Sequence, residues 1–211
     1  MKQVLSFGFD SRWKRQLIRS LPEFDSPACL DLACGNGDIT LLLAEKYTGG
    51  RITGLDISEP MLAEARARLD ADTDISFVLG DMTRTGFPDA SMDVVTVGYG
   101  LRNAPDLQEA MEEIARILKP GGCLAMLDFR RWNNRLLQKF ELALLSFWCG
   151  LWGLVRTGNT DTYAYIAHSL ARFPTGEQLR KVYADYGFRI DASFSHFVGI
   201  TETLIAVKKE A

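Results

Sequence analysis

From Ala28 to Phe129, short apolar runs return at near-even spacing, and each closes on a turn or an acid before an amphipathic stretch begins. Ala28 to Ala33 ends in the Gly-rich turn Cys34-Gly35-Asn36-Gly37 and is followed by an apolar helix from Asp38 to Tyr47. Arg51 to Asp56 reads as a second strand, with Ser58, Glu59 and Pro60 supplying the cap and first turn of a helix to Leu69. Ile75 to Leu79, Met92 to Tyr99 and Cys123 to Phe129 are further strands, the last preceded by a helix from Asp106 to Lys119 and by the breakers Pro120, Gly121 and Gly122. Strands alternating with helices at this spacing form parallel β-α-β units with helices on both faces of the sheet. Continuous apolar runs such as Val94, Val95, Thr96 and Val97 suit strands buried on both sides.

The flanks complete the pattern. Trp13, Leu17, Ile18 and Leu21 mark one face of an opening helix over Ser11 to Leu21. Beyond Phe129 the rhythm breaks into long helical stretches, Trp132 to Val155 and Thr160 to Phe173, before a helix from Gly176 to Tyr186 and strands near Phe188 to Phe194 and Ile200 to Val207. The expected fold is α/β: a doubly wound, mainly parallel seven-stranded sheet in a single domain over residues 1–211, with a helical cap inserted at about 131–173.

A hydrophobic fraction of 47% with 24% charged residues excludes disordered and collagen-like chains. The net charge of -3 disfavours a protein that neutralises many phosphates, so no nucleic-acid partner is expected. Cys29, Cys34, Cys123 and Cys149 lack C-x-x-C spacing and read as reduced cytoplasmic thiols; with only His168 and His196 beside them, no metal site is expected. Met1 to Asp10 is unlike a signal peptide. The 14 uncharged residues Leu142 to Val155 fall short of a membrane span. Asp31 to Glu113 holds 16 acidic residues against six basic ones, whereas Met1 to Ser20 and Phe129 to Lys139 are basic, so the middle and its flanks are expected to serve different roles.

The first strand-to-helix turn carries the chemistry. A dinucleotide turn reads G-x-G-x-x-G and seats a pyrophosphate, but here the third position is Thr40, and Asp31 and Asp38 bracket the loop. Two carboxylates repel a pyrophosphate and suit a ligand with an amine and a sulfonium, as S-adenosylmethionine has. Asp56, 25 residues after Asp31 at the end of the second strand, is placed to accept from both ribose hydroxyls. Asp81, after the third strand, is placed to read an adenine amino group with Met82 packing beside it.

Leu30-Asp31-Leu32-Ala33 with Gly35 and Gly37-Asp38, then Gly54-Leu55-Asp56-Ile57-Ser58 with Met61-Leu62, form a first group of motifs. Trp13-Lys14-Arg15, Gly100-Leu101-Arg102-Asn103 with Asp106, Leu118-Lys119-Pro120-Gly121-Gly122, and Tyr163, Tyr165, Ser169 and Phe173-Pro174 form a second. On these motifs the chain resembles the class I S-adenosylmethionine-dependent methyltransferases, and within them the ubiquinone and menaquinone biosynthesis C-methyltransferases. The resemblance implies a Rossmann-like methyltransferase with a cofactor-binding set of Asp31, Ala33, Gly35, Gly37, Asp56, Ile57, Asp81, Met82 and Gly98. It implies, too, methylation of a ring carbon in a demethylated prenyl quinol. The sequence departs from the family where Asp10 stands in place of a motif His, where Asp128-Phe129-Arg130 replaces E-F-S, and where Val198 replaces a Gly.

Carbon methylation of a quinol needs alignment of the ring carbon with the methyl group and a route for the phenolic and ring protons. The candidate catalytic residues are Arg102, Asn103, Tyr163 and Asp10. Arg102, no ordinary base, stabilises a developing phenolate or pairs with a nearby acid. Asn103 orients the acceptor oxygen or caps the helix beginning near Pro105. Tyr163 and Tyr165 lie on different faces of one helix, and Tyr163 is assigned to the acceptor. Asp10 is a base or the N-cap of the helix starting at Ser11, and Tyr99 is expected to line the same cavity.

Residues 140–155 carry Trp148 and Trp152 behind the basic cluster Arg130, Arg131, Arg135 and Lys139. Such a surface serves a peripheral contact with the inner membrane surface, a prenyl-chain groove, or a core or homodimer interface. Two rival functions keep the cofactor: a methyltransferase acting on a soluble aromatic or polyketide-like metabolite, and a non-catalytic cofactor-binding scaffold.

Overall fold

In a computed structural model the chain is described over residues 10–69, 74–132, 169–196 and 199–210. These form α1 (Asp10–Arg19), β1 (Ala28–Leu32), α2 (Asp38–Lys46), β2 (Arg51–Asp56), α3 (Glu59–Arg66), β3 (Ile75–Leu79) and β4 (Met92–Gly98). A 3-10 turn over Leu101–Asn103 leads to α4 (Leu107–Ile117), β5 (Leu118–Phe129), α5 (Gly176–Asp185), β6 (Phe188–His196) and β7 (Thr201–Lys208). The expected helical insertion falls mostly on residues outside the described ones, although residues 169–172 are helical.

The seven strands make one sheet in the order β3-β2-β1-β4-β5-β7-β6. The pairs from β3 through β5 are parallel, and β7 runs antiparallel to both β5 and β6. Alternate residues of the central strands pack into separate cores, as a pleated strand covered on both faces requires. Leu30, Leu32, Val95, Val97, Leu124 and Met126 face α4 and α5, while Cys29, Val94, Cys123, Ala125 and Leu127 face α1 and α2. At the edge, β6 alternates half-buried and exposed positions between its two buried end residues.

Several helix ends are set by side chains. The Asp106 carboxylate accepts from the backbone N–H groups of Gln108 and Glu109, so this residue caps α4 and Asn103 does not. Thr175 and Gln178 form a reciprocal capping box at the start of α5. The helix expected to reach Lys119 stops at Ile117 instead, because the backbone at Arg116 and Ile117 accepts from Ala90 and Ser91, and Leu118 pairs with Met92. The expected breakers therefore lie inside β5, where the register with β4 shifts between Met92 and Val94.

No helix among the described residues is long and apolar enough to cross a membrane. The strand order reverses direction between β1 and β4, and the crevice outside the carboxyl ends of strands at such a point is where open α/β sheets bind ligands.

Candidate active site

The turn leaving β1 opens with Ala33 in the left-handed region at φ 52°, followed by Gly35 at 56° and Gly37 at 79°. Gly37 is enforced twice, because a Cβ there meets Phe77 Cζ at 2.8 Å in addition to the backbone strain. Gly98 is crowded by Ile39, whose Cδ1 lies 2.3 Å from where its Cβ would be. Across the crevice, Gly100 makes room for the Ala33 methyl: a second Cβ would lie 2.5 Å from it. The cofactor loop and the end of β4 therefore touch through their smallest residues.

Asp56 is 9% exposed, and its Oδ2 accepts from Gly35 N at 2.7 Å while Oδ1 accepts from Ser58 N at 2.9 Å. Each oxygen keeps a lone pair for a further donor. Beside it Ile57 is 73% exposed, an apolar side chain left standing at the rim. Asp81 Oδ1 accepts from Thr83 N at 2.9 Å and from its hydroxyl at 3.0 Å, and Met82 packs partly buried against the core. The following residues are anchored from α4, since Glu113 accepts from the Thr85 amide and hydroxyl and pairs with Arg116.

The two acids expected to face a cation are otherwise engaged. Asp31 is 1% exposed beneath the loop, with Thr40 Oγ1 at 2.7 Å on one oxygen and Thr96 Oγ1 at 2.8 Å on the other. Its place is that of a support holding β1, α2 and β4 together. Asp38 lies between Lys14 Nζ at 2.8 Å and Arg68 Nη1 at 2.7 Å. Burial alone would raise its pKa, but these two cations hold it below the usual carboxylate range.

Asp10 and Lys14, one turn apart on α1, are 3% and 4% exposed and paired at 2.6 Å. Burial opposes the charge on Lys14, yet Asp10 and Asp38 together keep its pKa above the ordinary value. Asp10 is therefore the first residue of α1 in a buried ion pair, and Lys14 links that helix to the cofactor loop. Trp13 stacks on His196 with ring centroids 5.4 Å apart, which fixes α1 against β6.

At the end of β4, Tyr99 leaves the strand with φ 58°. Its N–H donates to Leu127 O at 2.7 Å, and its carbonyl accepts from Arg102 Nη1 at 3.0 Å and Asn103 Nδ2 at 3.3 Å. Arg102 pairs with Asp128 at 2.5 Å, with both side chains nearly inaccessible, and its guanidinium lies 4.9 Å from the Phe129 ring. The acid that pairs with Arg102 is thus Asp128. Arg102 and Asn103 line a cleft of about 690 Å3 with Ser169, Arg172, Phe173 and Pro174. Tyr163 and the Trp-rich run 140–155 lie outside the described residues.

Sequence reasoning gave no role to Lys14, Thr40, Thr96 or Asp128. Two signals were available: Lys14 stands four residues after Asp10, and Asp128 ends the strand beside β4.

Residues 1–208 match the model of the ubiE/COQ5 methyltransferase family. A demethylmenaquinone methyltransferase of Thermus thermophilus is 35% identical over 195 residues, 90% of this chain and 87% of the relative. A ubiquinone/menaquinone biosynthesis C-methyltransferase of Rickettsia bellii is 35% identical across 89% of this chain and 78% of its own length. In three dimensions, the geranyl diphosphate C-methyltransferase of Streptomyces coelicolor aligns with TM-score 0.74 at 15% identity, over 98% of this chain and 83% of that one.

Proposed function

Because the chain belongs to the ubiE/COQ5 methyltransferase family, we propose that it methylates a ring carbon of a demethylated prenyl quinol, of the menaquinone or ubiquinone-precursor type, using S-adenosylmethionine. The observation that carries this reading is the single turn from Gly98 to Asn103: Gly100 packs on Ala33 of the cofactor loop, and Arg102 and Asn103 of the same turn line the cleft. Donor and acceptor therefore meet at one piece of backbone. The quinol class comes from the relatives' names and from the motif at Gly100 to Asn103.

The residues around the loop fit the cofactor better than a dinucleotide. Lys14 and Arg68, two cations beside the loop, are both paired with Asp38, so they are not offered to a pyrophosphate. When bound, S-adenosylmethionine supplies an electrophilic methyl group on a sulfonium. Asp56 holds the ribose hydroxyls, Ile57 and Met82 cover the adenine, and Asp81 accepts from its amino group. Ala33, Gly35, Gly37 and Gly98 keep the backbone close to the ligand, with Asp31 bracing them from below.

On the acceptor side Arg102, held by Asp128, stabilises the oxygen anion that develops as the ring carbon becomes nucleophilic. Asn103 orients the same oxygen, Asp10 handles a proton, and Tyr163 is assigned to the acceptor by the motif alone. The chain works in the cytoplasm, with 140–155 meeting the inner membrane surface, the prenyl tail or a second copy.

The test is mass spectrometry of lipid and polar extracts incubated with protein and methyl-labelled cofactor. A product in the lipid fraction, heavier than its precursor by one labelled methyl group in place of a hydrogen, supports the quinol. The same gain in the polar fraction alone would move the acceptor to a soluble aromatic, and cofactor binding without any product would leave a scaffold. Replacing Trp148 and Trp152 by Ser is expected to raise the KM for a long-tailed quinol far more than for a tailless one.

A further inference from the structure

The arginines around the acceptor cleft are not alike. Arg102 is committed to Asp128 and to the Tyr99 carbonyl. Arg131 donates to the Phe173 carbonyl at 3.0 Å, Arg180 pairs with Glu202, and Arg130 reaches Ser195 Oγ at 3.4 Å with its guanidinium 5.8 Å from the centre of the Trp132 ring. Arg172 is different. It stands exposed on the wall of the cleft and makes no hydrogen bond, ion pair or ring contact among the described residues.

Its place in the chain does not account for that freedom. Arg172 is the last helical residue before Phe173, where a cation ordinarily bonds the final carbonyls of its helix. Here the carbonyls of Ser169 and Leu170 are taken by Phe173 N at 3.1 and 3.2 Å. The backbone beneath is fixed, with Leu170 fully buried, Phe173 4% exposed and Gly176 N bound to Arg131 O. A fixed stem therefore carries an uncommitted cation. Two segments line the cleft: residues 101–107 bring Arg102 and Asn103, residues 169–174 bring Ser169 and Arg172, and the other lining side chains are apolar. The charges bearing on this space are Arg172, Arg102 with Asp128 behind it, Arg131 behind Phe173, and Asp106 at the start of α4, whose carboxylate is turned to the amides of Gln108 and Glu109. No acid lines the cleft among the described residues, so its uncompensated charge is positive.

We propose that Arg172 is a specificity residue of this cleft and that it selects an acceptor carrying an oxygen anion. Taking the acceptor as a quinol, on which this rests, the ring offers a hydroxyl on each side: one meets Arg102 and Asn103, the other meets Arg172. The hydroxyl at Arg172 gives its proton to solvent as the acceptor enters, and the electron pair stays on the oxygen, where it enriches the ring. A free phenol, with a pKa of about 10, is scarcely ionised at neutral pH, but an opposite charge within about 4–6 Å lowers such a pKa by about 1–3 units. Solvent around an exposed guanidinium keeps the effect near the lower end, about tenfold. Arg102 brings no net charge to this selection, because Asp128 neutralises it.

The experiment compares wild type, Arg172→Gln and Arg172→Lys on a demethylated quinol, with cofactor affinity and circular dichroism as controls. At neutral pH Arg172→Gln is expected to raise KM about tenfold, the equivalent of one pKa unit, with kcat within about threefold because the charge acts on entry. Arg172→Lys keeps the charge and should recover most of the loss. Between about 0.01 M and 1 M salt the screening length falls from about 30 Å to about 3 Å, so the wild-type KM should climb with salt and that of Arg172→Gln should not. A second readout needs no turnover: calorimetry with 2-naphthoate and its uncharged amide, 2-naphthamide. Wild type should bind the anion about tenfold more tightly than the amide, and Arg172→Gln should bind the two alike. A folded Arg172→Gln with wild-type KM and salt dependence would overturn the assignment while leaving the quinol reading intact. So would an equal loss of both probes, which would make Arg172 a packing residue. A wild type that methylates no quinol yet prefers naphthoate through Arg172 would instead remove the quinol and leave the anion-selecting cleft standing.

Discussion

The two halves of the active site are built by different means. Around β1, β2 and β3 the polar groups are braced by short-range backbone contacts: Asp56 binds Ser58 two residues on, Asp81 binds Thr83, and the loop glycines shape themselves. Around β4 and β5 the work is done by a buried ion pair joining distant segments, Arg102 to Asp128. A half made of local turns tolerates the loss of a side chain with its fold intact and registers the loss in ligand affinity. A half made of buried charges cannot, because each partner removed leaves the other desolvated and unpaired.

That contrast is open to attack at four points. The largest effect is expected for Asp128→Ala, which strands the Arg102 guanidinium in a site 4% exposed and should cost about 3–5 kcal/mol in urea unfolding. Cofactor affinity of the protein that remains folded should barely change; a loss below about 1 kcal/mol would mean the pair does not hold this half together. Gly37→Ala attacks the other half through its backbone. With φ at 79° and Phe77 Cζ 2.8 Å from the new methyl, it should cost about 2–4 kcal/mol and weaken cofactor binding as well.

Asp56→Ala separates affinity from stability. Calorimetry should show S-adenosylmethionine binding weakened by about 1–3 kcal/mol as two ribose hydroxyls lose their acceptor, with a smaller change in the unfolding midpoint. Unchanged affinity in the folded variant would place the ribose elsewhere. The smallest effect concerns a long-range brace of that half, from Glu113 to Thr85. Glu113 is pushed from 4.5 down to about 2 by its hydrogen bond to Arg116, against the pull of burial and helped by Thr85. A carboxylate whose folded pKa is depressed contributes its full stabilisation above about 4.5 and loses it as pH falls toward about 2. Glu113→Gln should therefore flatten the acid limb of stability in that window and leave the neutral value little altered; an unchanged limb would show that the segment from Asp81 to Thr85 is held by other means.

Much of this was legible before any coordinates. The continuous apolar runs with helices between them placed the seven strands within a residue or two at most ends, because burial on both faces of a parallel sheet leaves that pattern in the chain itself. The Gly-rich turn, with acids at the ends of β2 and just beyond β3, marked the cofactor half for a related reason: its contacts run between residues close in sequence or at strand ends already aligned by the fold. Where the reading missed, a local signal competed with a distant partner. The breakers Pro120 to Gly122 looked like the end of a helix, yet the ladder with β4 drew them into β5.

The acids show the limit most clearly. Asp31 and Asp38 read alike as carboxylates flanking a loop. Strand pleating turned Asp31 under the sheet toward Thr40 and Thr96, while α1 brought Lys14 to Asp38 from 24 residues away. Residue type and spacing determined the fold class, the Gly-rich turn and which residues stand near the crevice. Only the tertiary structure decided which of those charges are spent on one another, since pairing depends on distance through space and on burial, and neither is encoded at a single position. It is by that rule that Arg102 belongs to Asp128, and Lys14 to Asp10 and Asp38.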